Sequence, residues 1–158
     1  MSWQRYCATS EATEAAGAEF ARVLRAGDVV LLVGTLGAGK TTFVKGVARG
    51  LGVVERVTSP TFTLVRQHDC HNELGLATLH HADVYRVERL DEVYDLALGE
   101  LVEESGVAFV EWGDLAVGVF GTQVMTINFE VDDAEGRTLR VGGELAEARR
   151  AHLDRWVS

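Results

Sequence analysis

Apolar and polar residues follow two periods along this chain, and together these periods predict strands that alternate with helices. The run Val29–Val33 contains only valine and leucine, which is too apolar for a sheet edge and indicates a strand covered on both faces. The run Val-Ala-Phe-Val at residues 107–110 repeats this pattern. Residues 61–66 and 77–81 are predicted as two further strands.

Apolar residues at helical spacing mark four other segments. The first helix is predicted at residues 10–25, with Ser10 as its N-cap. A second is predicted at residues 40–51, and the same spacing recurs at residues 90–101 and 145–156. Because strands and helices are interleaved, we expect an α/β fold with a mostly parallel sheet and helices on both faces.

The end of the chain carries a different signal. Apolar residues alternate over residues 123–131, an Asp-Asp-Ala-Glu-Gly turn follows, and a second strand is predicted at 137–141, which together indicate a C-terminal antiparallel hairpin. The single proline, Pro60, lies between predicted elements, and we find no repeat or linker. Residues 1–158 are therefore predicted to form a single domain.

The composition of the chain indicates the cellular compartment in which the protein is expected. Of the 158 residues, 47% are hydrophobic, enough for one buried core. Cys7 and Cys70 have neither metal-ligand nor redox spacing, and the first residues lack the apolar region of an export signal. No apolar stretch approaches the roughly 20 residues needed to cross a bilayer. We expect a cytoplasmic protein without a membrane span.

The net charge of the chain indicates whether nucleic acid is an expected partner. The formal net charge is −9, and 13 arginines accompany only two lysines, Lys40 and Lys45. Nucleic-acid binding draws most of its affinity from basic residues that neutralise phosphates. An acidic chain of this kind is not expected to bind nucleic acid stably by itself.

A glycine-rich loop follows the first buried strand. Residues 34–41, Gly-Thr-Leu-Gly-Ala-Gly-Lys-Thr, match the G-x4-G-K-[ST] phosphate loop between a strand and a helix, the context this motif requires. Such a loop points the amides of Gly37, Ala38, Gly39, Lys40, Thr41 and Thr42 at phosphate oxygens. The Lys40 ammonium suits the β- and γ-phosphates, and the Thr41 hydroxyl suits Mg²⁺. The fold is thus predicted to be P-loop NTPase-like, with a nucleoside triphosphate and Mg²⁺ as ligands.

Two acidic residues stand at the ends of predicted strands. Because ligands of open α/β sheets gather at the carboxyl ends of strands, Asp83 and Glu111 are candidate catalytic groups. Glu111 is best placed as the Walker B acid that holds Mg²⁺ or its water. Asp83 is a candidate for orienting the attacking water or for the metal's outer shell. Trp112 either stacks near the nucleotide or packs at a surface.

Two other features leave alternatives open. Residues 58–65, Thr-Ser-Pro-Thr-Phe-Thr-Leu-Val, are either a switch segment that responds to the γ-phosphate or a polar turn. The adjacent His80 and His81 suggest a metal site, but neighbouring residues of a strand point to opposite faces. A structural role is favoured for both.

Taken together, the motifs "TSEAT", "GTLGAGKTTF", "SPTFTLV", "HADVYR", "FVEWGD" and "EGR" occur in an order that resembles the TsaE family over nearly the whole chain. The resemblance implies an ATPase that uses Mg²⁺. It also implies that the protein does not itself transfer the threonylcarbamoyl group to tRNA adenosine but is required for turnover of the complex with TsaD-like and TsaB-like proteins, through which it contacts tRNA indirectly.

Carried over by motif, the family's nucleotide-binding loop falls on residues 37–42 and its metal residues on Thr41 and Glu111. The functional aspartate falls on Asp83, and the resemblance implies nucleotide contacts from Thr9 and Arg137 and a larger role for Trp112. The sequence departs from the family pattern at Thr35, where relatives usually carry an acid, and at Gly113, where many carry proline.

Other classes of phosphate-loop protein fit less well. A small-molecule kinase is the main alternative, although the chain shows no insertion for an Arg-rich lid. A GTP switch lacks an Asn-Lys-x-Asp sequence to select guanine, and an ABC-type motor lacks an LSGGQ-like signature.

Overall fold

The structure is a computed structural model of the whole chain, and it describes residues 2–35, 37–57, 65–83, 105–111 and 123–157. Described elements are strands and helices in alternation. In chain order they are β1 (Trp3–Cys7), α1 (Ser10–Phe20), a 3₁₀ turn (Ala21–Val23), β2 (Val29–Val33), α2 (Lys40–Gly50), β3 (Val65–Asp69), β4 (Thr78–Asp83), β5 (Gly106–Glu111), β6 (Met125–Val131), β7 (Arg137–Gly142), α3 (Glu144–Ala148) and α4 (Arg150–Trp156).

The seven described strands form one sheet in the order β1-β7-β6-β2-β5-β4-β3. The four central strands β6, β2, β5 and β4 are parallel to one another. Antiparallel pairs close both sides, namely β3 with β4 and the β6–β7–β1 ribbon. The predicted α/β class and the C-terminal hairpin are confirmed, and parallel pairing is confined to the centre of the sheet.

Strand β2 lies in the middle of this sheet and is covered on both faces, as predicted. Val30 and Leu32 belong to a core that also includes residues of α1, α2 and α4. Leu31 points to the opposite face and is also fully buried. A strand with both faces covered fixes the glycine loop that leaves its carboxyl end.

The helices α1 and α2 cross at glycines. A Cβ atom at Gly46 would lie 1.9 Å from the carbonyl oxygen of Glu14, and one at Gly17 would lie 2.1 Å from that of Phe43. The close approach brings the rings of Phe20 and Phe43 to a centroid separation of 5.5 Å. Such ring pairs contribute about 0.5–1.5 kcal/mol beyond the area they bury. The position of α2 therefore depends on small residues at this crossing.

The first helix departs from its prediction at both ends. The predicted N-cap, Ser10, is wrong by one residue, because the hydroxyl of Thr9 accepts the Ala12 amide at 3.1 Å. The helix ends at Phe20, well before residue 25, and continues only as the 3₁₀ turn. The following residues are used in a turn into β2, in which the Asp28 carboxylate accepts the Arg25 amide at 2.8 Å.

The sequence pattern did not predict β1, and it predicted one helix where the structure has two, α3 and α4. Strand β1 pairs antiparallel with β7, and its inward position Arg5 places its guanidinium over the ring of Trp156. The predicted single helix at residues 145–156 is wrong. It breaks at Arg149, whose backbone leaves helical geometry and whose guanidinium bonds Asp28 at 2.8 Å.

Some predictions lie outside the described residues. They include the helix at residues 90–101, most of the segment at 58–65 and Trp112. Of the strand predicted at 61–66, the described residues Val65 and Arg66 lie in β3. Among the residues that the structure describes, no helix is both long and apolar enough to cross a bilayer. The single-domain assignment stays a prediction.

Candidate functional site

The glycine loop joins β2 to α2, and two of its glycines adopt left-handed backbone conformations. Gly37 has a φ of 79° and Gly39 a φ of 102°, which side-chain-bearing residues rarely adopt. Gly39 is also the N-cap residue of α2, and its carbonyl accepts the Phe43 amide at 2.9 Å. The first turn of α2 therefore faces the loop with amides that lack partners within the helix.

Lys40 folds back over the loop. Its ammonium donates to the carbonyl oxygens of Gly34 at 2.7 Å and Thr35 at 2.9 Å, and the residue is only 5% exposed. A buried cation is stable only when it is well paired. A phosphate would offer this ammonium charged acceptors, which form stronger hydrogen bonds than neutral carbonyls.

Thr41, in the first turn of α2, contacts Glu111 at the carboxyl end of β5. The Thr41 hydroxyl lies 3.1 Å from Oε1 and 3.0 Å from Oε2 of Glu111, and it donates to this carboxylate. Glu111 ends β5 and is 4% exposed. The parallel register places Asp83, the last residue of β4, directly opposite it. The two predicted acids therefore stand side by side at the carboxyl edge of the sheet, as the strand-end argument requires.

His81 contacts Glu111, which the sequence pattern did not predict. Its Nε2 lies 2.5 Å from Oε2 of Glu111, and its side chain is fully buried. The opposite orientation of its neighbour was predicted correctly, since Nε2 of His80 lies 3.3 Å from the hydroxyl of Thr78. Within the described ranges, no group of three or more His, Cys, Asp or Glu side chains is arranged to hold a metal ion.

Arg137 begins β7 and reaches the loop from the hairpin. Its guanidinium donates to the carbonyl oxygens of Gly37 at 3.1 Å and Ala38 at 3.3 Å, and also to that of Glu135. These two loop carbonyls lie 99 and 100 positions before Arg137 in the chain. The late hairpin thus braces the glycine loop, which a local motif cannot reveal.

The turn before Arg137 is fixed by Asp132. Its Oδ1 accepts the amides of Ala134 and Gly136, both at 2.9 Å, and its Oδ2 accepts the Tyr6 hydroxyl at 2.9 Å. The Tyr6 hydrogen bond, followed by the Gly136 amide, lowers the pKa of the Asp132 carboxyl. This turn connects β1 to the hairpin that carries Arg137.

The glycine loop, the first turn of α2, the ends of β4 and β5 and the Arg137 side chain surround a cavity of about 190 Å³. Nine of the predicted site residues line it, and they are Gly37, Ala38, Gly39, Lys40, Thr41, Thr42, Asp83, Glu111 and Arg137. Thr9 does not line it and caps α1 instead, whereas Trp112 lies outside the described residues. Among the described residues, Ser10 and Thr13 also line the cavity. Neither was predicted as a site residue, and Thr13 is distinguished only by the structure, as a fully buried polar residue.

The chemistry of the lining fits a triphosphate with Mg²⁺. The Thr41 hydroxyl and the Glu111 carboxylate supply oxygen donors, which are the ligands Mg²⁺ takes. Lys40 and Arg137 bring two cations to the same cavity, and the amide-rich start of α2 adds partial positive charge. The residues that could hold the phosphates are therefore distinct from those that could hold the metal.

Comparison with solved structures first places the molecule in a structural class. The crystal structure of YdiB from Bacillus subtilis is similar, with a TM-score of 0.76 and 30% sequence identity. The similarity covers 98% of this chain and 95% of YdiB. This protein is thus an α/β protein of the YdiB type over almost its whole length.

The family follows from sequence comparison. Residues 7–139 match the family model described as threonylcarbamoyl adenosine biosynthesis protein TsaE. The chain belongs to the TsaE family, as the motifs indicated.

Two relatives carry the name tRNA threonylcarbamoyladenosine biosynthesis protein TsaE. The protein of Treponema pallidum is 41% identical over 79% of this chain and 90% of its own length. That of Bacillus subtilis is 47% identical over 66% of this chain and 63% of its own length. The match therefore spans less than two thirds of the Bacillus protein.

Proposed function

We propose that this protein binds ATP with Mg²⁺ in the cavity beside the glycine loop and hydrolyses it, and that this hydrolysis serves the biosynthesis of threonylcarbamoyladenosine in tRNA. The observation that carries the proposal is the contact of the Thr41 hydroxyl with the buried Glu111 carboxylate, at 3.0 and 3.1 Å, directly beside Lys40. A hydroxyl and a carboxylate supply oxygen ligands of the kind that Mg²⁺ takes, and a helix N-terminus beside them favours phosphate.

Phosphate binding is assigned to α2 and its loop. The backbone amides of residues 37–42 donate to phosphate oxygens, with the partial positive charge at the start of α2 behind them. Lys40 exchanges the carbonyls of Gly34 and Thr35 for phosphate oxygens, and Arg137 adds a second cation from the hairpin. The gain comes from replacing neutral acceptors by charged ones.

Hydrolysis is assigned to the carboxylates at the strand ends. When bound, Mg²⁺ neutralises charge that develops on the phosphates. Thr41 and Glu111 would hold the metal or its water, while the Thr41 hydroxyl keeps its proton and donates a hydrogen bond to Glu111. Asp83, opposite Glu111 in the strand register, orients the attacking water. The chemistry rests on position and charge and needs no covalent intermediate.

The biological role is inferred from the family. The named relatives act in threonylcarbamoyladenosine biosynthesis, and we infer the same pathway for this chain. Its partners are TsaD-like and TsaB-like proteins in the cytoplasm. The net charge of −9 favours an arrangement in which these partners carry the tRNA and this subunit supplies ATP hydrolysis.

The first test removes each half of the site. In Lys40→Ala, ATP affinity should fall by roughly 100-fold, the equivalent of about 3 kcal/mol for a charged hydrogen bond. Glu111→Ala should keep measurable ATP binding and lose hydrolysis. Binding is measured with a fluorescent ATP analogue, and hydrolysis by the release of labelled phosphate.

Lys45→Ala is the matched control, because Lys45 is the other lysine, lies on the same helix and is exposed. It should behave as the wild type. Equal ATP turnover by all four proteins would contradict the assignment of the site. Transfer of the labelled phosphate to an added metabolite, rather than to water, would identify a kinase instead.

A further inference from the structure

The buried His81 is placed by the sheet on the same side as the proposed metal site. In the parallel register His81 lies opposite Phe109, and Asp83 lies opposite Glu111. Alternate residues of a strand share a face, so these four side chains lie on one face of the sheet. His80 points to the other face, although it is the same residue type and is also buried.

The carboxylate of Glu111 has two different donors. Oε1 contacts only Thr41 in the described hydrogen bonds, at 3.1 Å, whereas Oε2 contacts both Thr41 at 3.0 Å and Nε2 of His81 at 2.5 Å. A threonine hydroxyl carries one proton, so it cannot satisfy both oxygens at once. Because His81 bonds Oε2 of Glu111, it fixes the orientation of the carboxylate and leaves Oε1 to the Thr41 side.

His81 contacts the carboxylate without lining the cavity. The described residues around the cavity include Glu111 and Asp83 but not His81. Its other ring nitrogen, Nδ1, is buried and has no hydrogen-bond partner among the described residues. Its one hydrogen bond in the described part of the chain is therefore the bond to Glu111. Because a carboxylate only accepts hydrogen bonds, Nε2 carries the proton and donates it.

We propose that His81 is a positioning residue that orients the Glu111 carboxylate for Mg²⁺. This inference rests on the proposed function, since it concerns the same site. The Thr41 hydroxyl is itself a proposed metal ligand, whereas His81 anchors Glu111 without competing for the metal. Hydrogen bonds behind metal ligands commonly affect metal affinity in this way.

Two amide substitutions test the proposal. In H81Q the amide nitrogen reaches about as far as Nε2 and can still donate to Glu111, whereas the shorter amide of H81N cannot. Affinity for Mn²⁺, a spectroscopic substitute for Mg²⁺, is measured by electron paramagnetic resonance with a non-hydrolysable ATP analogue. We expect Mn²⁺ binding to weaken about 10- to 100-fold in H81N. H81Q should remain within about threefold of the wild type, because it keeps the donor.

A second measurement separates positioning from a general structural role. Affinity for the analogue without metal should stay within about twofold of the wild type in both variants, because His81 does not touch the phosphate-binding groups. H80N, the same change on the opposite face, should leave Mn²⁺ binding unchanged. If H81N does not fold, H81M takes its place, since it removes the donor and fills similar space.

The outcomes are distinct. Mn²⁺ affinity in H81N equal to that of the wild type would overturn the inference, as would failure of H81Q to restore it or an equal loss in H80N. These results would leave the proposed ATP site standing. If the wild type itself binds neither the analogue nor Mn²⁺ with it, the proposed function fails, and the role of His81 fails with it.

Discussion

At the scale of single residues, two threonines close together in the chain have different surroundings and different roles. Thr9 and Thr13 lie one helical turn apart at the start of α1. The hydroxyl of Thr9 accepts the Ala12 amide, and that of Thr13 donates to the Thr9 carbonyl at 3.2 Å. Only Thr13 lines the cavity. The nucleotide contact that the family resemblance implies for Thr9 stays a prediction, while its capping bond is a structural role.

The capping bond gives a prediction for stability. Thr9→Ala should lower the free energy of unfolding by about 1 kcal/mol, because an amide at the helix start loses its acceptor. Thr9→Ser keeps the hydroxyl and should retain most of the stability. Urea unfolding followed by circular dichroism measures both, and equal midpoints for Thr9→Ala and the wild type would show that the cap does not contribute.

At the scale of elements, the crossing of α1 and α2 determines where the glycine loop lies. The carbonyl oxygens of Glu14 and Phe43 each approach a glycine of the other helix, so neither glycine position has room for a methyl group. Since Lys40 and Thr41 occupy the first turn of α2, a shift of this helix would also move the phosphate-binding groups relative to Glu111.

Gly46→Ala should therefore destabilise the protein by roughly 1–3 kcal/mol, the usual cost of overpacking a close contact. This is opposite to the gain that alanine gives in an open helix. Gly142→Ala is the control, because a Cβ there meets nothing within 4 Å. Thermal unfolding compares the two variants, and a Gly46→Ala protein as stable as the control would contradict the described crossing.

Local patterns predicted the elements around the site, but contacts between distant segments were not predictable from them. Strand β2 and the glycine loop are evident from consecutive residues. Strand β1 was missed because Arg5 occupies an inward position where alternation calls for an apolar residue. Its guanidinium pairs with the Glu19 carboxylate and contacts the ring and the carbonyl oxygen of Trp156, 151 positions away. The contact of His81 with Glu111 likewise depends on the register of two strands.

At the scale of the whole molecule, the sheet order brings four parts of the chain to the cavity, and α1 adds Ser10 and Thr13 as a fifth. Strands β2, β5 and β4 are neighbours and parallel, so the loop after β2 meets Glu111 and Asp83 at one edge. The C-terminal hairpin adds Arg137 from the other side of β2. Lys40 and Arg137 bring two cations to this cavity in a molecule with a net charge of −9, and this local positive charge supports the proposed binding of a triphosphate.

The most direct measurement reconstitutes tRNA modification with TsaD-like and TsaB-like proteins, ATP and this chain. We expect the wild type to support repeated rounds of threonylcarbamoyladenosine formation, whereas Lys40→Ala should stop after the first round and Lys45→Ala should behave as the wild type. Repeated turnover that is equally fast with Lys40→Ala, or without this chain, would contradict the central claim that its ATP site drives the complex.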